Sequence, residues 1–380
     1  MYRDAADGAM NAMRTNHVWV MQHGLTLVEV MISMTIGLIL LVALGTMLST
    51  SLRNFKVNDD FSRLQENGVF ALHAIGKDVR MAGFYGRIGV GSAGDVRMAD
   101  ANQDGAPDAD PIDAAAGTDC GAAWAIDAAR PIFGYDATLS PADAHAAMPC
   151  IATDNFIPNS PILVLRGAEG MRVNVPENGV LYVQSTPASG ILFEGSQFTA
   201  VPATAPWKLI DEEGAAKIYP YQARAYYLRP CSRPTGAGGT ACTAADDDGH
   251  PIPTLVRQEL RGLDMVEQAV AEGVERMVIS YGLDDATVAN RNGMPNRYVA
   301  IPPNPADWSR VVSIRVALLL RSPVPDRNYR DDGKQYDLGD GAFTFACPAD
   351  PVPADADCRY HRHVFAQTFQ VRNLSQRWEK

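Results

Sequence analysis

Gly24-Leu25-Thr26-Leu27-Val28-Glu29 opens an apolar run over residues 25–49 in which Glu29 is the only ionisable side chain. The run decides the fold because it is long enough to span a bilayer. As a helix it is about 37 Å long at about 1.5 Å per residue, against a hydrocarbon core of about 30 Å. A lone carboxylate in such a segment costs several kcal/mol unless it finds a partner, which marks it as functional. Cleavage between Gly24 and Leu25 creates that partner, a positive α-amine four residues from Glu29 or next to the Glu29 of a neighbouring chain. A secretory signal is cut after its apolar core. Here the candidate site precedes the core, so cutting leaves the membrane helix on the mature chain.

The apolar pattern continues past the span. Leu52, Phe55, Phe61, Leu64, Gly68, Leu72, Ile75 and Val79 recur at three- and four-residue steps with polar residues between them, one face of an amphipathic helix. Proline is absent from residue 25 to residue 81, so one helix is expected to run through both segments. Gly68 in its interior costs about 1 kcal/mol relative to alanine, which points to close packing there. Gly83, Gly86 and Gly89 end the pattern.

The later sequence reads as strands. Residues 162–166, 171–175, 180–184 and 191–194 form a meander separated by turn residues, and 223–228 with 254–261 form a longer pair. A short helix over 267–274 is expected to lead into a strand over 276–281. Residues 311–321, rich in Val, Ile and Leu, read as a central strand, and 364–371 as the last one. Residues 84–160 are Ala-, Asp- and Gly-rich and read as an irregular insertion. The expected organisation is a leader (1–24), a transmembrane helix (25–49), its amphipathic continuation (50–83), the insertion (84–160) and a β-rich domain (161–380).

Composition narrows the function. The 380-residue chain has a formal net charge of −11, which repels phosphate backbones, and no basic stripe is interleaved with aromatics, so nucleic acid is excluded as a partner. The six cysteines are Cys120, Cys150, Cys231, Cys242, Cys347 and Cys358. Sequence alone does not settle their connectivity. Neighbour pairing, 120–150, 231–242 and 347–358, is the simplest choice. An even count beyond a membrane segment points to disulfides in an oxidising compartment, and no Cys-x-x-Cys pair supports zinc.

Several side-chain constellations bear on chemistry. Asp100, Asn102, Asp104 and Asp108 match the opening of a calcium loop, but Pro111 stands where a bidentate glutamate belongs. A solvated acidic loop is the favoured reading and calcium the alternative, with no other cofactor expected. Asp246-Asp247-Asp248 beside Gly249 reads as a turn, and His361 with His363 as two histidines lacking a third ligand. There is no Gly-x-Ser-x-Gly elbow, Walker loop or His-Glu-x-x-His motif, so no catalytic residue and no enzyme activity is assigned.

The Gly24–Glu29 stretch resembles the processing site of type IV prepilins, although Leu25 stands where phenylalanine is more usual. Gly273-Val274-Glu275-Arg276, Ile279-Ser280-Tyr281-Gly282, the run from Val312 to Ser322 and Phe369-Gln370-Val371-Arg372-Asn373 resemble the minor pilin PilW family. The resemblance implies an α+β pilin fold, a long N-terminal helix packed on antiparallel sheet with disulfide-closed loops. It implies cleavage at Gly24/Leu25 by prepilin peptidase, N-methylation of Leu25, and a role for Glu29 in subunit docking. The implied partners are other minor pilins, the major pilin, a tip adhesin and inner-membrane lipid. The implied location is the inner membrane with a periplasmic C-terminal domain, then the pilus tip, and the implied work is initiation of pilus assembly. The alternatives are a type II secretion pseudopilin and a membrane-tethered periplasmic binding protein or enzyme.

Overall fold

The computed structural model describes residues 26–88, 96–100, 104, 120, 124–200, 205–211, 214–287, 290–331, 334–339, 341, 344–346 and 358–375. The chain divides into two compact units, Met1–Asn58 and Asp59–Lys380. The first helix is α1 (Leu27–Met81), over a stretch that holds no proline to break it. Within the first unit its large apolar side chains, such as Ile39, Leu41 and Leu48, are exposed. Among the described residues it is the one helix long and apolar enough to cross a membrane.

In the second unit α1 is amphipathic and buries Leu64, Gly68, Ala71, Leu72, Ile75, Gly76, Asp78 and Val79. It ends where Gly83 and Gly86 adopt positive φ, a conformation that costs glycine nothing. The strands that follow are β1 (Val96–Met98), β2 (Ile132–Tyr135), β3 (Ile162–Ala168), β4 (Leu181–Ser185), β5 (Gly190–Glu194), β6 (Ile210–Asp211), β7 (Gly214–Ala215) and β8 (Lys217–Arg229). They continue as β9 (Thr254–Arg261), β10 (Asp264–Glu272), β11 (Val274–Leu283), β12 (Arg297–Val299), β13 (Val311–Arg321), β14 (Gln335–Asp337), β15 (Thr344–Ala346) and β16 (Arg362–Gln370).

The eight-stranded sheet runs β1-β5-β4-β8-β3-β2, with β9 pairing β8 and β10 pairing β9. The long β8 organises it: its first half pairs with β4, and its second half lies between β3 and β9, Arg224 facing both Leu165 and Glu259. All these pairings are antiparallel except β1 with β5, which is parallel. The second sheet, β12-β11-β13-β16, is wholly antiparallel. β13 lies inside it and is buried at nearly every position, which explains its continuous Val/Ile/Leu content.

The buried face of α1 packs into one core with both sheets. Leu72, Ile75 and Val79 share it with Leu163 and Leu165 of β3, Tyr226 of β8, Ile279 of β11, Ile314 and Val316 of β13, and Phe369 of β16. Fully burying one such side chain stabilises the fold by about 1.5–3 kcal/mol. The fold is α+β.

Three expectations are corrected. Residues 267–274 are not helical: they fall in β10, the turn at Gly273 and the first residue of β11. The eight register pairs of β10 with β9 and the partly buried contacts of Glu267 override the helix preference of Glu, Gln and Ala. Gly273, at φ +85°, makes the turn, and a Cβ there would sit 2.7 Å from the Arg321 carbonyl oxygen. Residues 171–175 contribute a single bridge, Val173 to Ile218, rather than a strand. The insertion is ordered where it is described: β2 joins the large sheet, and Pro141–Ala147 is a helix closed by a Ser140–Asp143 capping box. Ala144, Met148, Ile151 and Phe156 form a second core with Ile162, Val164, Ala225 and Val256.

Candidate assembly site at the helix N-terminus

Glu29 stands three residues after Thr26, and the two close a reciprocal cap. The Glu29 amide donates to Thr26 Oγ1 at 3.2 Å, and the Thr26 amide donates to Glu29 Oε2 at 3.4 Å. The Val30 amide donates to the Thr26 carbonyl at 3.1 Å, the first bond of the helix. Thr-x-x-Glu is the capping-box signature, so the pattern was present in the sequence although Thr26 was not singled out. The geometry holds an acid at the positive end of the helix dipole, with the apolar side chains Leu27, Val28, Met31 and Ile32 exposed around it. Gly24 and Leu25 lie outside the described residues.

A second constellation, which sequence reasoning missed, locks α1 to the large sheet. Asp78 is 4% exposed on the buried helix face. Its Oδ1 accepts from Arg224 Nη1 at 2.5 Å, and its Oδ2 accepts from the Tyr226 hydroxyl at 2.5 Å. Arg224 also donates to Glu259 Oε1 from Nε at 2.9 Å and from Nη2 at 2.7 Å, while Arg257 Nη2 donates to Glu259 Oε2 at 2.9 Å. Burial pushes the Glu259 carboxyl up, but the Arg224 and Arg257 guanidinium groups outweigh it and hold the group below the ordinary range. Burial and the Asp78 charge keep the Tyr226 phenol protonated. The signal was available in helical phase, since Asp78 falls three residues after Ile75, on the apolar face.

The structure joins Cys120 to Cys150 and Cys231 to Cys242. Cys358 is disulfide-bonded, and Cys347 lies outside the described residues. Asp246, Cys231 and Cys242 cluster closely enough to suggest a metal, but both sulfurs are spent in the disulfide. The acidic run is instead a hydrogen-bonded turn, with Asp247 and Asp248 at positive φ. Asp247 accepts from the Ser232 amide at 2.9 Å, the Ser232 hydroxyl at 2.6 Å and the Ile252 amide at 2.8 Å. The Thr235 hydroxyl and the Thr243 amide hold Asp246 below the usual carboxylate range.

In the calcium-loop sequence the Asp104 amide donates to Asp100 Oδ1 at 3.1 Å, and Asn102 and Asp108 lie outside the described residues. His361 is buried, its ring 3.9 Å from that of Tyr329 and its Nε2 3.5 Å from Asp326 Oδ2. His363 is exposed and packs edge-on against Phe365.

Residues 19–45 match the prokaryotic N-terminal methylation motif. This motif at the head of an exposed apolar helix, in a chain with an α+β domain, fits a membrane-anchored pilin-like protein, a structural pilus component. Residues 241–373 match the family described as Type IV Pilus-assembly protein W, and the two matches together support a type IV pilus minor pilin of that family. That match covers β9 to β16 and contains the whole second sheet; residues 46–240 fall in neither match. A type IV-like pilin from Thermus thermophilus is similar over 51% of this chain and 84% of its own, at 13% identity and a TM-score of 0.21, too low a score to define a shared arrangement. No curated protein matches the sequence significantly.

Proposed function

We propose that this chain is an initiating minor pilin, held in the inner membrane as a single-pass protein with its second unit in the periplasm. It joins other minor pilins in a priming complex and then rides at the fibre tip. The observation that supports this reading most directly is the methylation motif coinciding with the Thr26–Glu29 cap at the start of the exposed helix. In hydrocarbon an unpaired carboxylate is penalised. Docking that brings Glu29 to a neighbour's terminal amine removes the penalty, and misregistered docking does not. The same acid thereby acts as a register device, as single buried polar groups do in coiled coils.

The bulk of the second unit supports a place at the end of the fibre, where a large domain need not stack repeatedly along a shaft. Immunogold labelling of pili, with pilus counts in cells lacking the chain, tests the proposal. Label at fibre ends and a fall in pilus number are expected. Label along the shaft contradicts tip placement. Unchanged pili with impaired protein secretion assign the chain to a type II secretion system instead.

A further inference from the structure

Short strands, bulges and charged side chains keep a sheet edge from pairing with another chain. Most edges of the two main sheets have such guards. β1, β2 and β12 span only three, four and three residues, and β10 carries a bulge at Ala269–Ala271 with Asp264, Glu267 and Glu272 along it. The edge of β16 has none. It pairs with β13 over nine consecutive positions without a register shift, and it holds no proline, lysine or carboxylate. Two bonds at its ends fix which residues face outward. The Ser322 amide donates to the His361 carbonyl and the Val371 amide to the Val312 carbonyl, both at 2.9 Å. Odd-numbered residues of β16 therefore bond β13, and the amides and carbonyls of Val364, Ala366 and Thr368 point away from it. Among the described residues no backbone group bonds these three on that side. We propose that this edge receives an added β-strand from another polypeptide, an extended segment with apolar side chains at alternate positions and a carboxylate at the end beside Arg372. The inference does not depend on the assembly role proposed for the helix.

The surroundings of the edge specify its guest. Phe365 and Phe369 face α1, against Gly68 and Gly76. Val69 stands seven residues before Gly76, two turns away on the same stripe of the helix, and is 56% exposed. Phe61 is 43% exposed, its ring 5.9 Å from that of His361 just before the strand. A strand added to β16 extends the sheet beneath this apolar helix surface, which accepts an apolar side chain at every second position. On the opposite face Ala366 and Thr368 are small and exposed, so nothing bulky on β16 bars a neighbour there. Arg372, exposed just past the strand, favours an acidic end on the guest. A second copy of β16 brings no carboxylate to Arg372, which makes a strand of different sequence the better match.

The test is residue-resolved hydrogen exchange on the full chain in lipid nanodiscs, with acetyl-Glu-Thr-Val-Thr-Val-Thr-Glu-amide as the probe strand. In the chain alone the amides of Val364, Ala366 and Thr368 are expected to exchange fast and those of Phe365 and Gln367 slowly. Saturating probe should slow the first set about tenfold. The same peptide N-methylated at every residue, which has no backbone donor, should not. Ala366→Pro removes one outward donor without touching the β13 ladder. It should abolish the protection of Val364 and Thr368 while Phe365 and Gln367 stay slow, and Thr368→Pro serves as the second variant if the first disturbs that ladder. Slow exchange of the outward amides in the chain alone, protection that survives N-methylation or the proline variants, or no protection at millimolar probe overturns the proposal. Protection that appears on concentrating the chain without probe also overturns it, by assigning the edge to a second copy.

Discussion

Asp78 on α1 and Arg224 on β8 stand 146 residues apart in sequence, and their side chains meet at 2.5 Å. The contact carries the packing of helix on sheet through an ionic cluster as well as through apolar burial. Removing one partner strands the other charges in a site they cannot leave. Asp78→Ala is therefore expected to destabilise the fold by about 3–5 kcal/mol. The double variant Asp78→Ala/Arg224→Ala should lose less than the sum of the singles. Urea denaturation of the set measures both, and additive losses would mean that the two residues act separately.

Stability should fall in acid, and Glu259 sets part of the slope. Its folded carboxyl is held below the ordinary value near 4.5. The associated stability is present above that value and lost as pH falls through the lower, folded value. Asp247 shifts the same way: burial raises it, and the Ser232 and Ile252 bonds outweigh that rise. Melting temperatures at pH 7 and pH 3.5 are expected to differ less in Glu259→Gln than in the native chain. An identical difference would remove Glu259 from the acid response.

Gly68 admits the Phe365 ring against the helix, and a Cβ there would lie 2.5 Å from Phe365 Cδ2. Gly68→Ala gains about 1 kcal/mol in helix propensity but overpacks the contact, at a cost of about 1–3 kcal/mol. The net expectation is a modest loss, recovered when Phe365→Leu frees the space. Denaturant midpoints of the single and double variants check it.

Opening the Cys231–Cys242 bridge by Cys231→Ala/Cys242→Ala should cost about 2–4 kcal/mol, the usual range for a native disulfide. The Asp247 contacts to Ser232 should loosen with it. Hydrogen exchange at the Ser232 and Ile252 amides, both bonded to Asp247, is expected to quicken more than exchange in β13.

Much of this architecture is legible in sequence where periodicity is strong. Residues 254–261 and 311–321 read as strands and form β9 and β13 with those bounds. The proline-free run predicts α1, and the glycine in its buried face predicts a close contact. What sequence hides is tertiary. The stretch 264–272 is rich in helix formers, yet the β9 edge and the partly buried Arg229–Glu267 pair make it a strand. Arg224, Arg257 and Glu259 each look like surface charges, because alternation fixes which way they point and not what covers that face. The cap at Thr26 was readable from spacing.

The most direct test is the N-terminus of the membrane-purified protein, read by intact mass and peptide sequencing. A chain beginning at N-methylated Leu25 is expected, with Glu29→Leu still inserted in membrane but absent from assembled pili. A chain that retains residues 1–24 in cells with active prepilin peptidase would contradict the pilin pathway.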